Sequence, residues 1–243
     1  MKVALIGYGV MGKQIEAVCK ERGHVVSAII TKESSDEMAS KLKHADVAVE
    51  FTEPDAAADN IRACFNAGVP VVCGTTGWLH HYEAIRQDCL STGGGLLYAS
   101  NFSIGVNLFF RLNKQLAALI SRYPGYKAEL EEIHHTRKKD APSGTAITLA
   151  EGLIEEHPGY SSWVLGRTSA EGQLPVTASR VGDVPGTHSI SWKSENDSIT
   201  ITHEAFNRKG FALGAVIAAE FMKGKRGVYS MTDLFNSDSD YGN

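Results

Sequence analysis

Short apolar runs separated by longer amphipathic segments fill the N-terminal part of the chain. The runs are Val3–Ile6, Val25–Ile30, Asp46–Phe51, Val69–Cys73 and Leu96–Ala99. Apolar residues recur at helical spacing between them, as in Met11–Arg22 before Gly23, and Pro54 suits the first turn of another helix. This alternation predicts βαβ units, and therefore a parallel sheet that is covered by helices on both faces.

The pattern changes after Asn101. Ile104–Ile120 carries apolar residues at helical spacing, whereas Tyr126–His135 alternates between apolar and polar residues. Three more strand-like segments follow, namely Val176–Arg180, His188–Trp192 and Ile199–His203. A polar turn separates the last two, as in a hairpin. This part of the chain is predicted to be an α+β domain with a mostly antiparallel or mixed sheet.

The last long apolar segment, Phe211–Met222, is apolar on nearly every side, which predicts a buried helix. We place this helix against the N-terminal sheet, so the chain leaves the first domain near residue 101 and returns near residue 211. The predicted domains are residues 1–101 with 212–243, and residues 102–211. Lys223–Gly227, which follows the helix, is predicted to be a solvated loop. The fold class is α/β, with a second α+β domain.

The 243-residue chain is 43% hydrophobic and 21% charged, with a net charge of −4, as in an ordinary globular protein. This charge does not indicate binding to nucleic acid or to an anionic membrane, and no apolar run is long enough to span a bilayer. The four cysteines form no CxxC pair. They are predicted to be free, buried thiols of a cytoplasmic protein, with a disulfide or a metal site as the alternative.

A glycine-rich turn follows the first apolar run and opens the first predicted helix. It consists of Gly7, Tyr8, Gly9, Val10, Met11 and Gly12, a GxGxxG motif. Such glycines allow a tight turn and let the backbone approach a pyrophosphate, which the helix N-terminus binds through its N–H groups and its dipole. In this context the motif predicts a Rossmann-type, dinucleotide-binding domain. Glycines that serve only helix–strand packing are the alternative.

The end of the second apolar run should contact the adenosine ribose of the cofactor. Enzymes that prefer NADH usually carry an acidic residue there, whereas this chain has Thr31 and then Lys32. A lysine close to serine hydroxyls suits a 2′-phosphate, so the sequence favours NADPH. NADH remains an alternative cofactor because of Glu33. If the residue that contacts the ribose lies slightly further along the chain than Thr31, Glu33 would supply the acidic side chain that NADH-dependent enzymes usually have.

Two more segments follow apolar runs at the carboxyl edge of the predicted sheet, where open α/β sheets bind their ligands. They are Gly74, Thr75 and Thr76 after the fourth run, and Ser100, Asn101 and Phe102 after the fifth. We predict that both segments contact the nicotinamide and its ribose. The alternatives are an ordinary glycine-rich turn for the first segment, and an N-cap at Asn101 or Ser103 for the second.

One segment combines histidines, cations and the start of a helix. It reads His134, His135, Thr136, Arg137, Lys138, Lys139, Asp140, Ala141, Pro142, Ser143, Gly144, Thr145 and Ala146. The N–H groups of Gly144 and Thr145 suit a carboxylate, and Lys138 or Lys139 adds a positive charge. Histidine titrates near neutral pH and suits a general acid. The segment therefore predicts an anion site beside a proton donor, with a solvated basic loop as the alternative.

This segment resembles the signature of the dihydrodipicolinate reductase family, HHxxKxDAPSGTA, at every fixed position. Other segments that resemble the family are Phe51–Pro54, Gly74–Gly77, Asn101–Asn107, Arg180–Gly182, Gly186–His188, His203–Ala205 and Phe211–Ala215. The resemblance therefore covers nearly the whole chain.

The resemblance implies an oxidoreductase of lysine and diaminopimelate biosynthesis that reduces dihydrodipicolinate, or its hydrated form, to tetrahydrodipicolinate with NAD(P)H. It implies that His134 is the acid and that Lys138 is both catalytic and carboxylate-binding. It also implies that His135, Gly144 and Thr145 bind the dicarboxylate substrate. Family members are typically homotetramers joined through their substrate-domain sheets, and they commonly close two domains over the ligands. We expect no metal, nucleic-acid or membrane partner.

The chain departs from the family pattern in two places. Its glycine loop is one residue shorter than in many members and lacks a basic residue before Met11, and Thr31 replaces the usual acid. Two other functions remain open: a different Rossmann-type dehydrogenase, acting on diaminopimelate or homoserine, and a dinucleotide sensor without catalysis. We interpret His188 and His203 as hydrogen-bonded core or interface histidines.

Overall fold

Strands and helices alternate from the first residues of the computed structural model, which describes residues 1–168, 170–207 and 209–237. The strands are β1 (Lys2–Ile6), β2 (Val25–Ile30), β3 (Val47–Glu50), β4 (Val71–Cys73), β5 (Gly95–Tyr98), β6 (Lys127–His134), β7 (Ser162–Leu165), β8 (Gln173–Arg180), β9 (Thr187–Lys193), β10 (Ser198–Glu204) and β11 (Gly227–Tyr229). The α-helices are α1 (Val10–Glu21), α2 (Met38–Leu42), α3 (Pro54–Asn66), α4 (Tyr82–Thr92), α5 (Ile104–Ile120), α6 (Gly144–Glu156), α7 (Lys209–Met222) and α8 (Met231–Asn236). Two 3₁₀ helices span Lys32–Glu37 and Leu79–His81.

The chain divides into two units. The first contains Met1–Ile104 and the segment that starts at Lys209, and the second starts at Gly105. The cofactor and substrate roles that the sequence assigns to residues 1–101 with 212–243, and to residues 102–211, stay predictions. Within those ranges, Ser169, Arg208 and residues 238–243 lie outside the described residues.

The sheet of the first unit is all-parallel, as the alternating pattern predicts. Its six strands run in the order β11-β5-β4-β3-β1-β2. The edge strand β11 corrects one expectation, because Gly227 pairs with Gly95 of β5 and does not end a solvated loop. A strand of three residues is too short to show a period, which is why the sequence did not reveal it.

Both faces of this sheet are buried, and alternate residues of one strand supply the two cores. Val3 and Leu5 of β1 pack with α1 and α7, whereas Ala4 and Ile6 pack on the opposite face with α3. Helix α7 is buried along most of its length, as its apolar pattern predicts. Strands that are covered on two faces read as continuous apolar runs, which explains why they were recognisable in the sequence.

The five-stranded sheet of the second unit is mixed, in the order β10-β9-β6-β8-β7. The pairs β10–β9 and β9–β6 are antiparallel, whereas β6–β8 and β8–β7 are parallel. The sheet is therefore mixed, which is one of the two predicted forms, and not mostly antiparallel. The predicted hairpin between β9 and β10 is present and is closed by a hydrogen bond from Ser194 N to Asp197 O of 2.9 Å.

One face of this second sheet is covered by α5 and α6. Leu130, Val176, Ile190 and Trp192 form its core with side chains of those helices. Along β6 the same face continues from Ala128 and Leu130 to two polar residues, so the apolar core ends where the candidate site begins. Within the described residues, none of the helices is both long and apolar enough to cross a membrane.

Candidate active site

The glycines of the GxGxxG turn, between β1 and α1, have different roles. Gly7 has a φ of +91°, and a Cβ atom there would lie 2.0 Å from the carbonyl oxygen of Phe51. A Cβ atom on Gly12 would lie 2.4 Å from the carbonyl oxygen of Gly7. These two glycines are required by packing, whereas a Cβ atom on Gly9 would meet nothing within 4 Å. The open space at Gly9, at the N-terminus of α1, fits the approach of a phosphate.

The remaining residues of this turn are more exposed. Val10 is exposed, and Tyr8 and Met11 are partly buried. The Tyr8 hydroxyl donates a hydrogen bond to Glu16. Lys13, in the first turn of α1, has its Nζ atom 5.9 Å from the centre of the Tyr8 ring. This lysine places a positive charge beside the turn, although the loop itself lacks the basic residue common in the family.

The predicted ribose-contacting residues lie at the end of β2. Thr31 is the N-cap of the 3₁₀ helix, and its backbone N–H donates to Ser34 Oγ at 3.1 Å. Its hydroxyl donates to Glu33 Oε2 at 2.6 Å, and this hydrogen bond lowers the pKa of Glu33. Lys32 is exposed. A carboxylate therefore contacts Thr31, the residue that the sequence assigned to the ribose, and the exposed ammonium group of Lys32 follows it in the chain.

The predicted nicotinamide segments lie at the carboxyl ends of β4 and β5. Thr75 is buried, and its hydroxyl accepts a hydrogen bond from Thr52 N at 2.7 Å, which ties the two loops together. A Cβ atom on Gly74 would lie 2.2 Å from the Phe51 ring, so this glycine is required by packing. Thr76 is exposed.

The segment after β5 is more structural than the sequence suggested. Asn101 Oδ1 accepts a hydrogen bond from Ser103 N at 2.9 Å, just before α5, which favours the helix-start alternative. Phe102 is buried in the core, with its ring centre 5.8 Å from that of Phe51. Ser100 is exposed. Of the three, Ser100 is the most accessible to a ligand, and Phe102 contributes mainly to packing.

The histidine segment connects β6 to α6 in the second unit. His134 is the last residue of β6 and is buried, whereas His135 is partly buried. Lys138 is partly buried, and its Nζ atom donates to Asp140 Oδ2 at 2.8 Å. The hydrogen bond from Lys138 lowers the pKa of Asp140, so this carboxylate is ionised beside the ammonium group. The predicted proton donor and the predicted cation thus lie on one short connection.

Helix α6 begins with an open N-terminus. Ser143 is the N-cap, and its hydroxyl accepts a hydrogen bond from Ala146 N at 3.2 Å. The N–H groups of Gly144 and Thr145 have no partner within the helix, because the first turn lacks preceding carbonyls. A Cβ atom on Gly144 would meet nothing within 4 Å. Two N–H donors and the positive end of the helix dipole suit a carboxylate here.

Strand pairing adds residues that sequence reasoning missed. Glu132 is fully buried and lies directly opposite His188 of β9, and His134 lies opposite Arg180 of β8. The Arg180 Nη2 atom donates to Glu132 Oε1 at 3.0 Å. The ring centres of His134 and His188 are 5.0 Å apart, edge to face. The expectation of a core histidine holds for His188, which is buried, but its neighbours make it part of the site.

A signal for Glu132 was present in the sequence. Ala128 and Leu130 precede it on the inward face of β6, and His134 follows on the same face. A polar residue at an inward position of an amphipathic strand departs from the pattern of the strand. Such a departure indicates a buried polar interaction or a site.

The protonation states in this cluster follow from burial and hydrogen bonding. Burial alone would raise the pKa of Glu132, but the adjacent His188 ring and hydrogen bonds from Ser143 and Arg180 lower it to about 2. Burial lowers the pKa of His134 to about 4, although the charge of Glu132 opposes the shift. At neutral pH the carboxylate is therefore ionised and His134 is neutral.

Three potential metal ligands occur in this cluster. Atoms of Glu132, His134 and His188 lie within 4.8 Å of one another, a geometry that could hold an ion. The sequence predicted no metal. The Arg180 guanidinium on the same carboxylate disfavours a second cation, and Ser143 N already donates to both of its oxygens at 3.0 and 3.1 Å. The carboxylate of the cluster is therefore already neutralised by Arg180 and hydrogen-bonded by Ser143.

Comparisons with known proteins cover both units. A family profile for the N-terminus of dihydrodipicolinate reductase matches residues 1–102, and one for its C-terminus matches residues 105–235. The 4-hydroxy-tetrahydrodipicolinate reductase of Christiangramia forsetii is 44% identical over 97% of this chain and 98% of its own length. That of Methanopyrus kandleri is 39% identical over 79% of this chain and 72% of its own length.

A solved structure shares the fold. Dipicolinate-bound dihydrodipicolinate reductase from Paenisporosarcina sp. TG-14 superposes with a TM-score of 0.75 at 21% identity, and the match covers 95% of this chain and 97% of that one. The structure of GenD2 from gentamicin A biosynthesis, in complex with NAD, gives a TM-score of 0.61 at 12% identity over 96% of this chain and 90% of its own. A similar fold therefore also occurs in a protein from gentamicin A biosynthesis.

Proposed function

Because this chain belongs to the dihydrodipicolinate reductase family, we propose that it catalyses the reaction of that family. The proposed reaction is the NAD(P)H-dependent reduction of 4-hydroxy-tetrahydrodipicolinate to tetrahydrodipicolinate, in lysine and diaminopimelate biosynthesis. The observation that carries the proposal is the segment between β6 and α6. His134, which is buried, ends β6, the connecting loop carries Lys138, and α6 then begins with an N-terminus that is open to an anion.

The second unit binds and orients the dicarboxylate in this proposal. The N–H groups of Gly144 and Thr145 donate to one carboxylate, and Lys138 and His135 contact the substrate from the connecting loop. Asp140 keeps the Lys138 ammonium in place. An ammonium group and a helix N-terminus are both worth more beside a doubly charged anion than beside a neutral ligand, which favours a dicarboxylate.

The residues of the turn between β1 and α1 fit a reduced nicotinamide dinucleotide, because a Cβ atom on Gly9 would meet nothing within 4 Å. When bound, the cofactor supplies the hydride that adds to the substrate ring after water has left. The chain supplies the accompanying proton. His134 is neutral in the free protein. The negative charges of a nearby dicarboxylate raise the pKa of His134, so His134 becomes protonated when the substrate binds.

A hydride-transfer experiment tests the proposed reaction directly. Reduced cofactor that carries deuterium at its transferable position should yield tetrahydrodipicolinate that is one mass unit heavier than with unlabelled cofactor. The product is identified by mass spectrometry after reaction with freshly made substrate. Unlabelled product, or no product from folded protein, would contradict the proposed reaction.

Replacing Lys138 with alanine should raise the KM for the substrate and lower kcat, with a combined loss in kcat/KM of roughly 100-fold. The ammonium group is lost both from binding and from the developing charge in the transition state. Steady-state kinetics with the substrate varied provide the measurement. Lys139→Ala is the matched control, since it removes the same charge from the same loop. A larger loss in Lys139→Ala would show that the wrong lysine has been assigned.

NADPH is the preferred cofactor in this proposal, and the support is the positive charge of Lys32 after β2, together with Lys13 in the first turn of α1. The hydrogen bond from Thr31 to Glu33 gives NADH some support, because it holds a carboxylate close to the same position. The two cofactors differ by one phosphate, so a single charge at this position should change the preference.

Substitution Thr31→Glu should lower the NADPH/NADH ratio of kcat/KM about 5- to 10-fold. A carboxylate repels a 2′-phosphate by about 1 kcal/mol at 4 Å even in bulk water. The measurement is the ratio of kcat/KM for the two cofactors. Thr31→Gln, which has a similar size and no charge, is the control and should change the ratio less. An unchanged ratio in Thr31→Glu would mean that Thr31 does not contact the ribose.

A homotetramer and a cytoplasmic location complete the proposal. The support for the assembly is the family and the face of the second sheet where Ser189 pairs with Thr202 and Ser191 pairs with Thr200 through exposed hydroxyls. The support for the location is that the four cysteines are free and buried.

A further inference from the structure

Glu132 is a buried carboxylate to which the proposed reaction gives no role. None of its side chain is exposed, and its pKa of about 2 keeps it ionised at every working pH. A buried charge is costly unless it is paired and hydrogen-bonded. Glu132 meets this requirement with two groups, Arg180 Nη2 at 3.0 Å and the backbone N–H of Ser143 at 3.0 and 3.1 Å.

The same carboxylate faces the rings of both buried histidines. Its Oε2 atom lies 3.5 Å from His134 Nδ1 and 3.6 Å from His188 Nε2. A neutral imidazole carries its proton on one nitrogen, and its neighbours decide which one. A lone pair on the Nδ1 atom of His134 would lie close to a negative charge, which is unfavourable. A proton on Nδ1 is attracted to it, so the carboxylate favours the Nδ1–H form.

The other nitrogen of His134 is then available for chemistry. A Cβ atom on Gly186 would lie 3.0 Å from His134 Nε2, so only a glycine leaves the ring this much room on that side. Gly186 has a φ of +157°, which L side chains rarely adopt. The ring is therefore held between a carboxylate at Nδ1 and a glycine backbone at Nε2.

Glu132 also reaches the start of α6. Its two oxygens accept the N–H of Ser143, the residue that caps the helix and immediately precedes Gly144. Arg180, which contacts the same carboxylate, also donates to the carbonyl oxygen of Asp140 in the connecting loop. One side chain thus fixes the end of β6, the loop and the first residues of α6 relative to one another.

We propose that Glu132 is a positioning residue that holds His134 as the Nδ1–H tautomer, with Nε2 as the proton-transferring atom, at a fixed distance from the anion-binding N-terminus of α6. This inference rests on the proposed function, in which His134 donates the proton. In that step the Nε2–H bond of the imidazolium breaks, the proton goes to the substrate, and the electron pair stays on Nε2. Nδ1 keeps its proton, and Glu132 remains a carboxylate throughout.

The imidazole nitrogen chemical shifts of the protein without ligands test this assignment. In NMR spectra at neutral pH, the His134 resonance, identified by its loss in His134→Gln, should show a protonated Nδ1 and an unprotonated Nε2. In Glu132→Gln the ring should shift toward the Nε2–H form that histidine favours in water. Glu131→Gln, a neighbouring exposed carboxylate with the same chemical change, is the control and should leave the spectrum unchanged.

Kinetics supply the second arm of the test. Glu132→Gln should lower kcat roughly 10- to 100-fold, less than the roughly 10²- to 10⁴-fold expected for loss of the general acid itself. It should also move the basic limb of the kcat profile, where the donor loses its proton, to lower pH. The shift follows because the carboxylate raises the pKa of His134. Glu131→Gln should keep the wild-type kcat and pH profile.

Two results would overturn the inference: an Nε2–H form of His134 in the wild-type protein, or a Glu132→Gln variant with unchanged tautomer, kcat and pH profile. The wild-type spectrum decides the matter even if Glu132→Gln does not fold. The spectrum needs no substrate, so a wild-type protein with the Nδ1–H form but no reductase activity would count against the proposed function alone.

Discussion

Replacing His134 with glutamine should lower kcat roughly 10²- to 10⁴-fold, the contribution of a positioned general acid. Glutamine has a similar size and keeps a polar group beside Glu132, but it cannot transfer a proton at neutral pH. The KM should change less, because Lys138 and the N-terminus of α6 still hold the dicarboxylate. A loss in kcat without an equal change in KM is expected for a group that acts in the transition state.

The control for this substitution is another buried histidine of the same unit. His157 follows α6 and packs against Tyr160 and Trp192, with its ring centre 5.2 and 5.1 Å from theirs. His157→Gln removes an equivalent ring without touching the cluster, and its kcat should stay close to the wild-type value. Full activity in His134→Gln, measured on protein with a wild-type circular dichroism spectrum, would exclude His134 as the donor.

A second large effect is expected on stability, from Gly214→Ala in α7. Alanine should favour a helix by about 1 kcal/mol over glycine. Here its Cβ atom would lie 1.7 Å from the carbonyl oxygen of Phe102, a backbone atom that cannot rotate away. Overpacking of this kind costs typically 1–3 kcal/mol and occasionally more. We expect a net loss of about 2 kcal/mol and a Tm about 4–8 °C lower.

The same helix provides the control. A Cβ atom on Gly210 would lie 3.8 Å from Ser103 Oγ, which is an ordinary contact. Gly210→Ala should therefore keep the wild-type Tm or raise it slightly. The measurement is thermal unfolding of the three proteins at one concentration. Equal stability of Gly214→Ala and the wild type would mean that α7 does not pack this closely on Phe102.

The elements that the sequence predicted well are those whose burial is uniform. Strands β1 and β3 are covered on both faces, so their apolar runs are continuous, and α5 matches its predicted bounds of Ile104–Ile120. Strands β7 and β11 were missed because they are short, lie at sheet edges and are only partly buried or exposed. The sequence also could not predict which strands pair with one another. An alternating apolar and polar pattern indicates a strand but does not identify its neighbours in the sheet.

The candidate site divides in the same way. His134, Lys138, Gly144 and Thr145 lie within one continuous segment, so the motif could predict them together. Their roles stay predictions. Arg180 and His188 lie more than forty residues further along the chain and reach Glu132 only through the register of β6 with β8 and β9. Such contacts depend on the order of strands in the sheet. The spacing of residues along the chain does not predict that order.

Oxidation of reduced cofactor in the presence of substrate tests whether this chain is the proposed reductase. The substrate is the fresh product of dihydrodipicolinate synthase, made from pyruvate and aspartate semialdehyde, and NADPH and NADH are followed in parallel by their absorbance. We expect rapid oxidation that depends on the synthase, with the higher kcat/KM for NADPH. Folded protein that binds NADPH but oxidises neither cofactor would contradict this expectation, and would favour a dinucleotide sensor or a dehydrogenase for another substrate.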